Sequence, residues 1–198
     1  MNPQGIGAVI LAAGESSRLG QPKQLLRFQG KTLVRRMVEA ASDADCSPIA
    51  VVLGSDFDRI KEELNDNPDA VVENTEWRSG IGSSIRAGVR RLIDDAPDLE
   101  AILLLVCDQP FVDATSIKKL SAIRDETKKQ IVASRYAETL GVPAMFGRSC
   151  FQELLSLHDG TGAKSIILRD PGRVGEFPFP DGAIDIDTAA DSEKLKAK

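Results

Sequence analysis

Residues 8–23 read AVILAAGESSRLGQPK, and in this stretch an apolar run passes directly into a polar loop. The run at residues 8–11 has the length and apolar character of a buried β-strand. The loop that follows contains glycines, serines and the two cations Arg18 and Lys23. Ligands of open α/β sheets bind beyond the carboxyl ends of the strands. The stretch therefore predicts an α/β fold with a ligand-binding loop after its first strand.

The rest of the chain alternates between short apolar runs and helical patterns. Further strands are predicted at residues 49–53, 71–72, 101–107, 131–133, 174–177 and 184–186. Helices are predicted at residues 32–41, 57–64, 83–92, 115–124, 151–157, 163–168 and from residue 189 onwards. Residues 142–146 contain Pro143, which predicts an edge strand or an extended connection there. This order of elements indicates one α/β domain, residues 1–198, with a mainly parallel sheet.

Composition excludes several classes of protein. The net charge of −5 leaves no general basic field for nucleic acid. The longest apolar run, residues 101–107, is far too short to span a membrane, and the amino terminus lacks the basic region of a signal peptide. The three cysteines show no C-x-x-C spacing, which argues against a zinc site or a disulfide framework. We therefore expect a cytoplasmic protein that binds neither nucleic acid nor membrane.

The loop after the first strand offers groups that suit a phosphate. Its glycines let backbone N–H groups approach phosphate oxygens closely. Arg18 supplies a planar fork of donors, and Lys23 supplies a mobile point charge. The P-loop pattern fails because Gly20 is not followed by lysine, and no G-x-G-x-x-G spacing follows Gly14. The alternative is a plain Gly/Ser turn with two solvated cations.

Acidic residues at two places are candidate metal ligands. Asp108 follows the apolar run 101–107 directly, so its carboxylate is expected at the ligand crevice. Such hard oxygen ligands hold Mg²⁺, which takes further ligands from water and substrate phosphates. If residues 184–186 form a strand, Asp185 and Asp187 share one of its faces. The alternatives are an Asp that opens a turn before Pro110 and an Asp or Thr that caps the final helix.

The loop pattern L-A-A-G-x-S-x-R-x-G-x-x-K resembles the motif of the MobA-like nucleotidyltransferases, and most closely that of the molybdenum cofactor cytidylyltransferases. The matching residues are Leu11, Ala12, Ala13, Gly14, Ser16, Arg18, Gly20 and Lys23. The guanylyltransferase branch has L-A-G-G at this place, so the A-A-G of this chain favours the cytidylyltransferases. The segments D-Q-P at 108–110 and D-I-D-T at 185–188 are similar to motifs of the same family. The resemblance implies a three-layer α/β/α Rossmann-like nucleotidyltransferase fold, with an NTP-binding N-terminal half and an acceptor-binding C-terminal half.

A second nucleotide loop of that family resembles residues 74–84, NTEWRSGIGSS. Base and ribose recognition belong to this loop by resemblance. Ser83 is expected to cap a helix whose N-terminus favours a polar or anionic ligand. Trp77, the only tryptophan, is equally compatible with plain packing. Residues 159–164, DGTGAK, resemble a G-D-x-G-A-R segment of the family with two residues exchanged and Lys in place of Arg.

The resemblance also implies roles for individual residues. The catalytic residues are Arg18, Lys23 and Asp108, and the Mg²⁺ ligands are Asp108 and Asp187. The nucleotide-binding residues are Leu11, Ala12, Ala13, Gly14, Ser16, Arg18, Lys23, Gly80, Ser83 and Ser84. The acceptor-binding residues are Gln109, Gly141, Pro143 and Asp185, with a backbone-shaping role for the Gly-x-Pro element as the alternative.

The activity that the resemblance implies is transfer of CMP from CTP to the terminal phosphate of molybdopterin, with a molybdenum hydroxylase apo-enzyme as a further partner. One alternative keeps the fold but uses GTP, or a sugar or polyol phosphate as the acceptor. Another is a non-catalytic chaperone that carries the molybdenum cofactor to a xanthine dehydrogenase-type enzyme. A flavin or nicotinamide oxidoreductase is disfavoured because the dinucleotide fingerprint is absent.

Overall fold

The computed structural model describes residues 5–16, 20–64 and 68–186 of the chain. The strands are β1 (Ile6–Ala12), β2 (Arg27–Phe28), β3 (Lys31–Thr32), β4 (Ile49–Leu53), β5 (Ala70–Glu73), β6 (Ala101–Val106), β7 (Ile131–Tyr136), β8 (Thr139–Gly147) and β9 (Val174–Pro178). The α-helices are α1 (Leu33–Asp43), α2 (Phe57–Leu64), α3 (Ile81–Asp95), α4 (Ala114–Thr127), α5 (Phe151–Leu155) and α6 (Lys164–Arg169).

The described part of the chain forms a seven-stranded sheet in the order β5-β4-β1-β6-β8-β7-β9. All neighbouring strands are parallel except that β8 runs antiparallel to both β6 and β7. Strands β2 and β3 form a separate two-stranded antiparallel ribbon. The prediction of an α/β/α fold with a mainly parallel sheet is confirmed.

Strand β1 lies in the interior of this sheet, between β4 and β6, and is buried along its whole length. Its alternate side chains enter two different hydrophobic clusters. Ala8 and Ile10 pack in the cluster that contains α1, α2 and α4, whereas Val9 and Leu11 pack in the cluster that contains α3, α5 and α6. A strand covered by helices on both faces has no polar face, which is why its sequence is continuously apolar.

The register of β1 against β6 determines where the two predicted functional segments lie. The strands are parallel, and Leu11 is paired with Val106. Because parallel strands end at the same edge of a sheet, the loop after Ala12 and the segment after Val106 begin side by side. This edge carries the candidate site.

The prediction that Pro143 lies in an edge strand or connection is wrong. Strand β8 is an interior strand, paired with both β6 and β7. Its register against β7 shifts, so that Ala133 pairs with Ala144 and Ser134 with Gly141. The intervening residues bulge out of the ladder, and a bulge tolerates a proline because no ladder N–H is required there.

Two further expectations need correction. Residues 184–186 do not form a strand, since the chain leaves a 3₁₀ turn at Pro180–Ala183 and continues without regular structure. Helix α3 begins at Ile81 with Gly80 as its N-cap, three residues earlier than a cap at Ser83 would give. The final helix expected from residue 189 lies outside the described residues.

Among the described helices, none combines the length and apolar character needed to cross a membrane.

Candidate active site

The candidate site centres on an ion pair between the two segments that follow β1 and β6. Lys23 Nζ lies 2.5 Å from Asp108 Oδ2, although the residues are 85 positions apart in the sequence. Their side chains are only 19% and 22% exposed. The cation of the first loop and the carboxylate after the central strand therefore share one location, and both retain access to solvent.

The first loop is held in shape by side chains within it. The backbone N–H of Lys23 donates to Ser16 Oγ at 2.8 Å. Gln24, which is 1% exposed, donates from Nε2 to the carbonyl oxygens of Ala12 at 2.8 Å and Gly14 at 3.0 Å. These bonds fix the path of the chain as it leaves β1 and turns toward Lys23.

The second loop is organised by Asn74, which follows β5 and is 6% exposed. Its Nδ2 donates to Ser83 Oγ and to Ser84 Oγ, both at 2.9 Å. Its Oδ1 accepts from the backbone N–H of Glu76 at 3.0 Å. The two serines thus lie inside the first turn of α3 and bind a neighbouring side chain, instead of capping the helix.

Close backbone packing fixes the positions of Trp77 and Gly80. A Cβ at Gly54 would lie 2.5 Å from Cγ of Trp77, so the indole rests directly on the end of β4. Gly80 has φ of +132°, and a Cβ there would lie 2.3 Å from the carbonyl oxygen of Asp159. Asp159 also pairs with Arg86 of α3. The DGTGAK segment therefore packs against the second loop and supports it.

Residues predicted to bind the acceptor form a second wall beside Asp108, on the side of β6 where β8 pairs with it. Gln109 is 2% exposed, and its Nε2 donates to the carbonyl oxygens of Val142 at 3.1 Å and Gly182 at 2.9 Å. Tyr136 Oη also donates to the Val142 carbonyl, at 2.9 Å. A Cβ at Gly141 would lie 2.4 Å from Tyr136 Oη, so any larger residue would displace the tyrosine hydroxyl. The wall around the Val142-Pro143 bulge is thus tied together by side-chain bonds.

The segment near the carboxyl terminus returns to this wall. The backbone N–H of Ile186 donates to the carbonyl oxygen of Asp108 at 3.1 Å, and the Ile186 side chain is fully buried. Asp185, which precedes it, is exposed. Burial raises the pKa of Tyr136, and the negative charges of Asp185 and Asp108 raise it further. Tyr136 therefore stays protonated at neutral pH and remains a donor.

A cleft runs from the first loop past the ion pair to the second loop. It is lined by Leu11, Ala12, Ala13, Gly14, Lys23, Gln24, Trp77, Ile81, Ser84, Val106, Cys107 and Asp108. Burial raises the pKa of the Cys107 thiol, so this cysteine stays protonated and is not a nucleophile. Among the described residues of this lining, the strongly polar side chains are those of Lys23, Asp108, Gln24 and Ser84.

The donor set at Asp108 fits a divalent cation that takes most of its ligands from a substrate. Within residues 5–16, 20–64 and 68–186, no group of three or more His, Cys, Asp or Glu side chains could hold a metal ion. Mg²⁺ usually binds through one or two carboxylates together with water and substrate phosphates. Asp108 offers such a carboxylate. The other predicted metal ligand, Asp187, and the predicted phosphate-binding Arg18 lie outside the described residues.

Three residues that shape the site were not assigned by sequence reasoning: Gln24, Asn74 and Tyr136. Each is polar and at least half-buried, and each bonds to backbone or to another element of the site. For Gln24 and Asn74, the sequence indicates a role only through position, because Gln24 follows the predicted phosphate-binding cation Lys23 and Asn74 follows a predicted strand.

Comparison with known proteins adds a family match. The model of the family described as the MobA-like NTP transferase domain matches residues 8–174. Nicotine blue oxidoreductase from Paenarthrobacter nicotinovorans is 35% identical over 116 residues, which are 58% of this chain and 55% of that protein. Bifunctional protein GlmU from Bifidobacterium animalis subsp. lactis is 32% identical over 57% of this chain and 25% of its own length. The match thus spans about half or less of these relatives.

Solved structures match over nearly the whole chain. Rv0371c from Mycobacterium tuberculosis H37Rv is 29% identical and superposes with a TM-score of 0.80, over 98% of both chains. A complex of Rv0371c with manganese has a TM-score of 0.76 at 28% identity, over 96% of this chain and 97% of that one. The same arrangement of strands and helices therefore occurs in a protein that has been solved with manganese.

Proposed function

Because the chain belongs to the MobA-like NTP transferase family, we propose that it transfers CMP from CTP to the terminal phosphate of molybdopterin and releases pyrophosphate. The family transfers nucleotides from NTPs, so the proposal concerns the choice of base and of acceptor. The observation that supports nucleotidyl transfer is the ion pair between Lys23 and Asp108 at the edge where β1 and β6 end. A cation for phosphates and a carboxylate for a metal are the two groups that this chemistry requires.

Lys23 and Asp108 exchange partners when the nucleotide binds, in this proposal. The ammonium group of Lys23 turns from the carboxylate to the triphosphate, where Arg18 of the same loop adds a second cation. The carboxylate of Asp108, aided by Asp187, would then hold a divalent cation. A divalent cation such as Mg²⁺ would neutralise charge on the transferring phosphate and on the leaving pyrophosphate.

The transfer step needs positioning more than it needs a base. An oxygen of the acceptor's terminal phosphate attacks the α-phosphorus of CTP, and the bond from that phosphorus to the bridging oxygen breaks. Pyrophosphate leaves with the electron pair. Because a phosphate nucleophile is already ionised at neutral pH, no side chain has to remove a proton. The residues of this chain therefore act by holding the two substrates in line.

The two walls of the cleft provide the two substrate sites in this proposal. The N-terminal half binds CTP through the first loop, from Leu11 to Lys23, and through Gly80, Ser83 and Ser84 of the second loop. The choice of CTP rests on the A-A-G sequence of the first loop. The C-terminal half binds the acceptor along Gly141, Pro143 and Asp185, and Gln109 supports that wall.

A second candidate function follows from the relative named nicotine blue oxidoreductase, which is 35% identical over 116 residues. Under this hypothesis the same cleft carries out an oxidation–reduction reaction instead of nucleotidyl transfer. The Lys23–Asp108 pair favours the transferase, since hydride transfer does not require a carboxylate beside the phosphate-binding cation. Use of GTP, of a sugar or polyol phosphate acceptor, and cofactor carriage without turnover are further alternatives.

One assay panel separates these functions. Pyrophosphate release is measured with CTP, GTP, ATP and UTP in the presence of Mg²⁺, each with and without molybdopterin. We expect release only with CTP and molybdopterin together. Release with GTP, or with a sugar or polyol phosphate in place of molybdopterin, would transfer the assignment to another branch of the family. Oxidation of NADH or NADPH without any pyrophosphate release would favour the oxidoreductase, and tight molybdopterin binding without turnover would favour the carrier.

A further inference from the structure

Each partner of the central ion pair is followed in the sequence by a buried glutamine. Gln24 follows Lys23 and is 1% exposed, and Gln109 follows Asp108 and is 2% exposed. Glutamine is normally an exposed residue, so full burial beside a solvent-accessible cleft needs a physical reason. The reason lies in what the two amides bind.

Gln24 binds two backbone carbonyls of the first loop. Its Nε2 lies 2.8 Å from the Ala12 oxygen and 3.0 Å from the Gly14 oxygen. The orientation of this amide is fixed, because the reverse orientation would place Oε1 against two acceptors. The amide therefore bridges the last residue of β1 and the glycine at the start of the loop, and it fixes the direction in which the loop leaves the strand.

Gln109 makes the same kind of bridge on the second wall. Its Nε2 lies 3.1 Å from the Val142 oxygen and 2.9 Å from the Gly182 oxygen. Val142 belongs to the bulge of β8, and Gly182 belongs to the 3₁₀ turn that precedes Asp185. The amide thus joins two segments that are far apart in the sequence and holds them beside Asp108.

The second polar atom of each amide is buried without a partner among residues 5–16, 20–64 and 68–186. Within these described ranges, neither Gln24 Oε1 nor Gln109 Oε1 has a hydrogen-bond partner, and both atoms are inaccessible to solvent. A buried acceptor without a donor carries a desolvation cost, so both glutamines are worse for stability than a fully satisfied residue would be. Sites that carry such a cost are often ones where geometry serves function.

We propose that Gln24 and Gln109 are positioning residues that act on different substrates of the same reaction. Gln24 acts through the first loop and sets the affinity for the NTP. Gln109 acts through the bulge and the 3₁₀ turn and sets the binding of the acceptor. The inference rests on the proposed function, since it assigns one wall of the cleft to each substrate.

The test replaces each glutamine by methionine, which has similar length but neither a donor nor a strong acceptor. Trp77 is the only tryptophan and lines the cleft, so its fluorescence reports CTP binding directly. The KM for molybdopterin is obtained from pyrophosphate release at saturating CTP. We expect Gln24→Met to weaken CTP binding about tenfold, because two neutral hydrogen bonds are lost, and to leave the KM for molybdopterin within about twofold. For Gln109→Met we expect the reverse.

Gln152→Met is the matched control, because it is the same substitution at an exposed glutamine on α5. It is expected to leave both constants unchanged. If a methionine variant does not fold, the glutamate variant replaces it. A protonated glutamate keeps one donor, so CTP binding by Gln24→Glu, relative to wild type at the same pH, should improve as the pH falls.

The outcomes separate this inference from the proposed function. Wild-type protein that neither binds CTP nor releases pyrophosphate would reject both. Active wild-type protein whose two glutamine variants change both constants in parallel would overturn the positioning roles alone, since general loosening of the cleft has that effect. Variants with wild-type values of both constants would overturn them as well. Only opposite selectivity of the two variants supports the inference.

Discussion

Replacing Asp108 by asparagine should reduce catalysis far more than stability. The substitution keeps the shape of the side chain and removes its charge. Two unit charges about 4 Å apart gain about 4 kcal/mol at an effective dielectric constant near 20, before desolvation is subtracted. Because the side chains of Lys23 and Asp108 remain 19% and 22% exposed, water screens the pair. We therefore expect the free energy of unfolding to fall by about 1 kcal/mol.

The expected loss of catalysis follows from the proposed role of the carboxylate. Removal of one group that stabilises charge in a transition state costs about 10²- to 10³-fold in kcat. The rate of pyrophosphate release with CTP, Mg²⁺ and molybdopterin should therefore fall at least about 100-fold. Urea unfolding, followed by Trp77 fluorescence, gives the stability of the same samples.

Asp95→Asn is the matched control for this experiment. Asp95 also forms an ion pair, since its Oδ2 lies 2.7 Å from Arg91 Nε, and it lies at the far end of α3. The distance along the helix axis from Ile81 in the cleft is about 21 Å. We expect a change in stability below about 0.5 kcal/mol and a parental rate. Folded Asp108→Asn protein that releases pyrophosphate at the parental rate would refute the assigned role.

Three further predictions concern the support of the site. Gly80→Ala should lower the free energy of unfolding by about 1–3 kcal/mol and weaken CTP binding. The reason is that φ of Gly80 is +132° and the new Cβ would meet the Asp159 carbonyl. Unchanged urea unfolding of this variant would contradict the prediction. Hydrogen bonds from Arg173, together with the charges of Arg173 and Arg169, hold the pKa of Glu153 below 4.5. The ionised Glu153 therefore stabilises the folded protein above this pH, and this stabilisation is lost as the pH falls through the lowered pKa. The stability gap between wild type and Glu153→Gln should therefore narrow at acid pH, and a constant gap would be inconsistent with the ion pairs. Leu104→Ala, in the fully buried centre of β6, should cost about 2–5 kcal/mol in urea unfolding, and a loss below about 1 kcal/mol would mean that the layer of α3, α5 and α6 does not close on this strand.

Much of the fold is predictable because its signals are local. The run at residues 101–107 is apolar on both faces, and this pattern is typical of a parallel strand between two helical layers. The structure places it as β6, next to β1. Asp108 and the first loop both follow such strands, which is why their common edge could be predicted. The direct contact between Lys23 and Asp108 could not be predicted, because the pairing of β1 with β6 depends on the order of strands in the whole sheet.

Pro143 shows where a local rule gives the wrong structure. Proline has no N–H for a sheet ladder, so an edge strand is the natural prediction. The chain instead places the proline in a bulge of an interior strand, where Ser134 Oγ donates to its carbonyl at 2.7 Å. The bulge forms because β7 and β8 pair out of register after Ala133. Register is a property of two strands, and one strand's sequence does not contain it.

The roles of Ser83 and Ser84 were similarly beyond the local pattern. Serine before an apolar helical run is a typical N-cap, and the prediction followed that rule. The N-cap is instead Gly80, three residues earlier, since Gly80 packs on the Asp159 carbonyl and Gly82 donates its N–H to the same oxygen at 2.7 Å. A segment about eighty residues away thus decides where the helix begins. The serines are then buried against Asn74.

The most direct measurement is a crystal structure of the protein soaked with CTP and Mn²⁺, with the metal located by its anomalous scattering. The account predicts one metal peak within bonding distance of the Asp108 carboxylate and of the triphosphate, with Lys23 Nζ turned onto a phosphate oxygen. A triphosphate bound away from Lys23, or a metal without contact to Asp108, would contradict it.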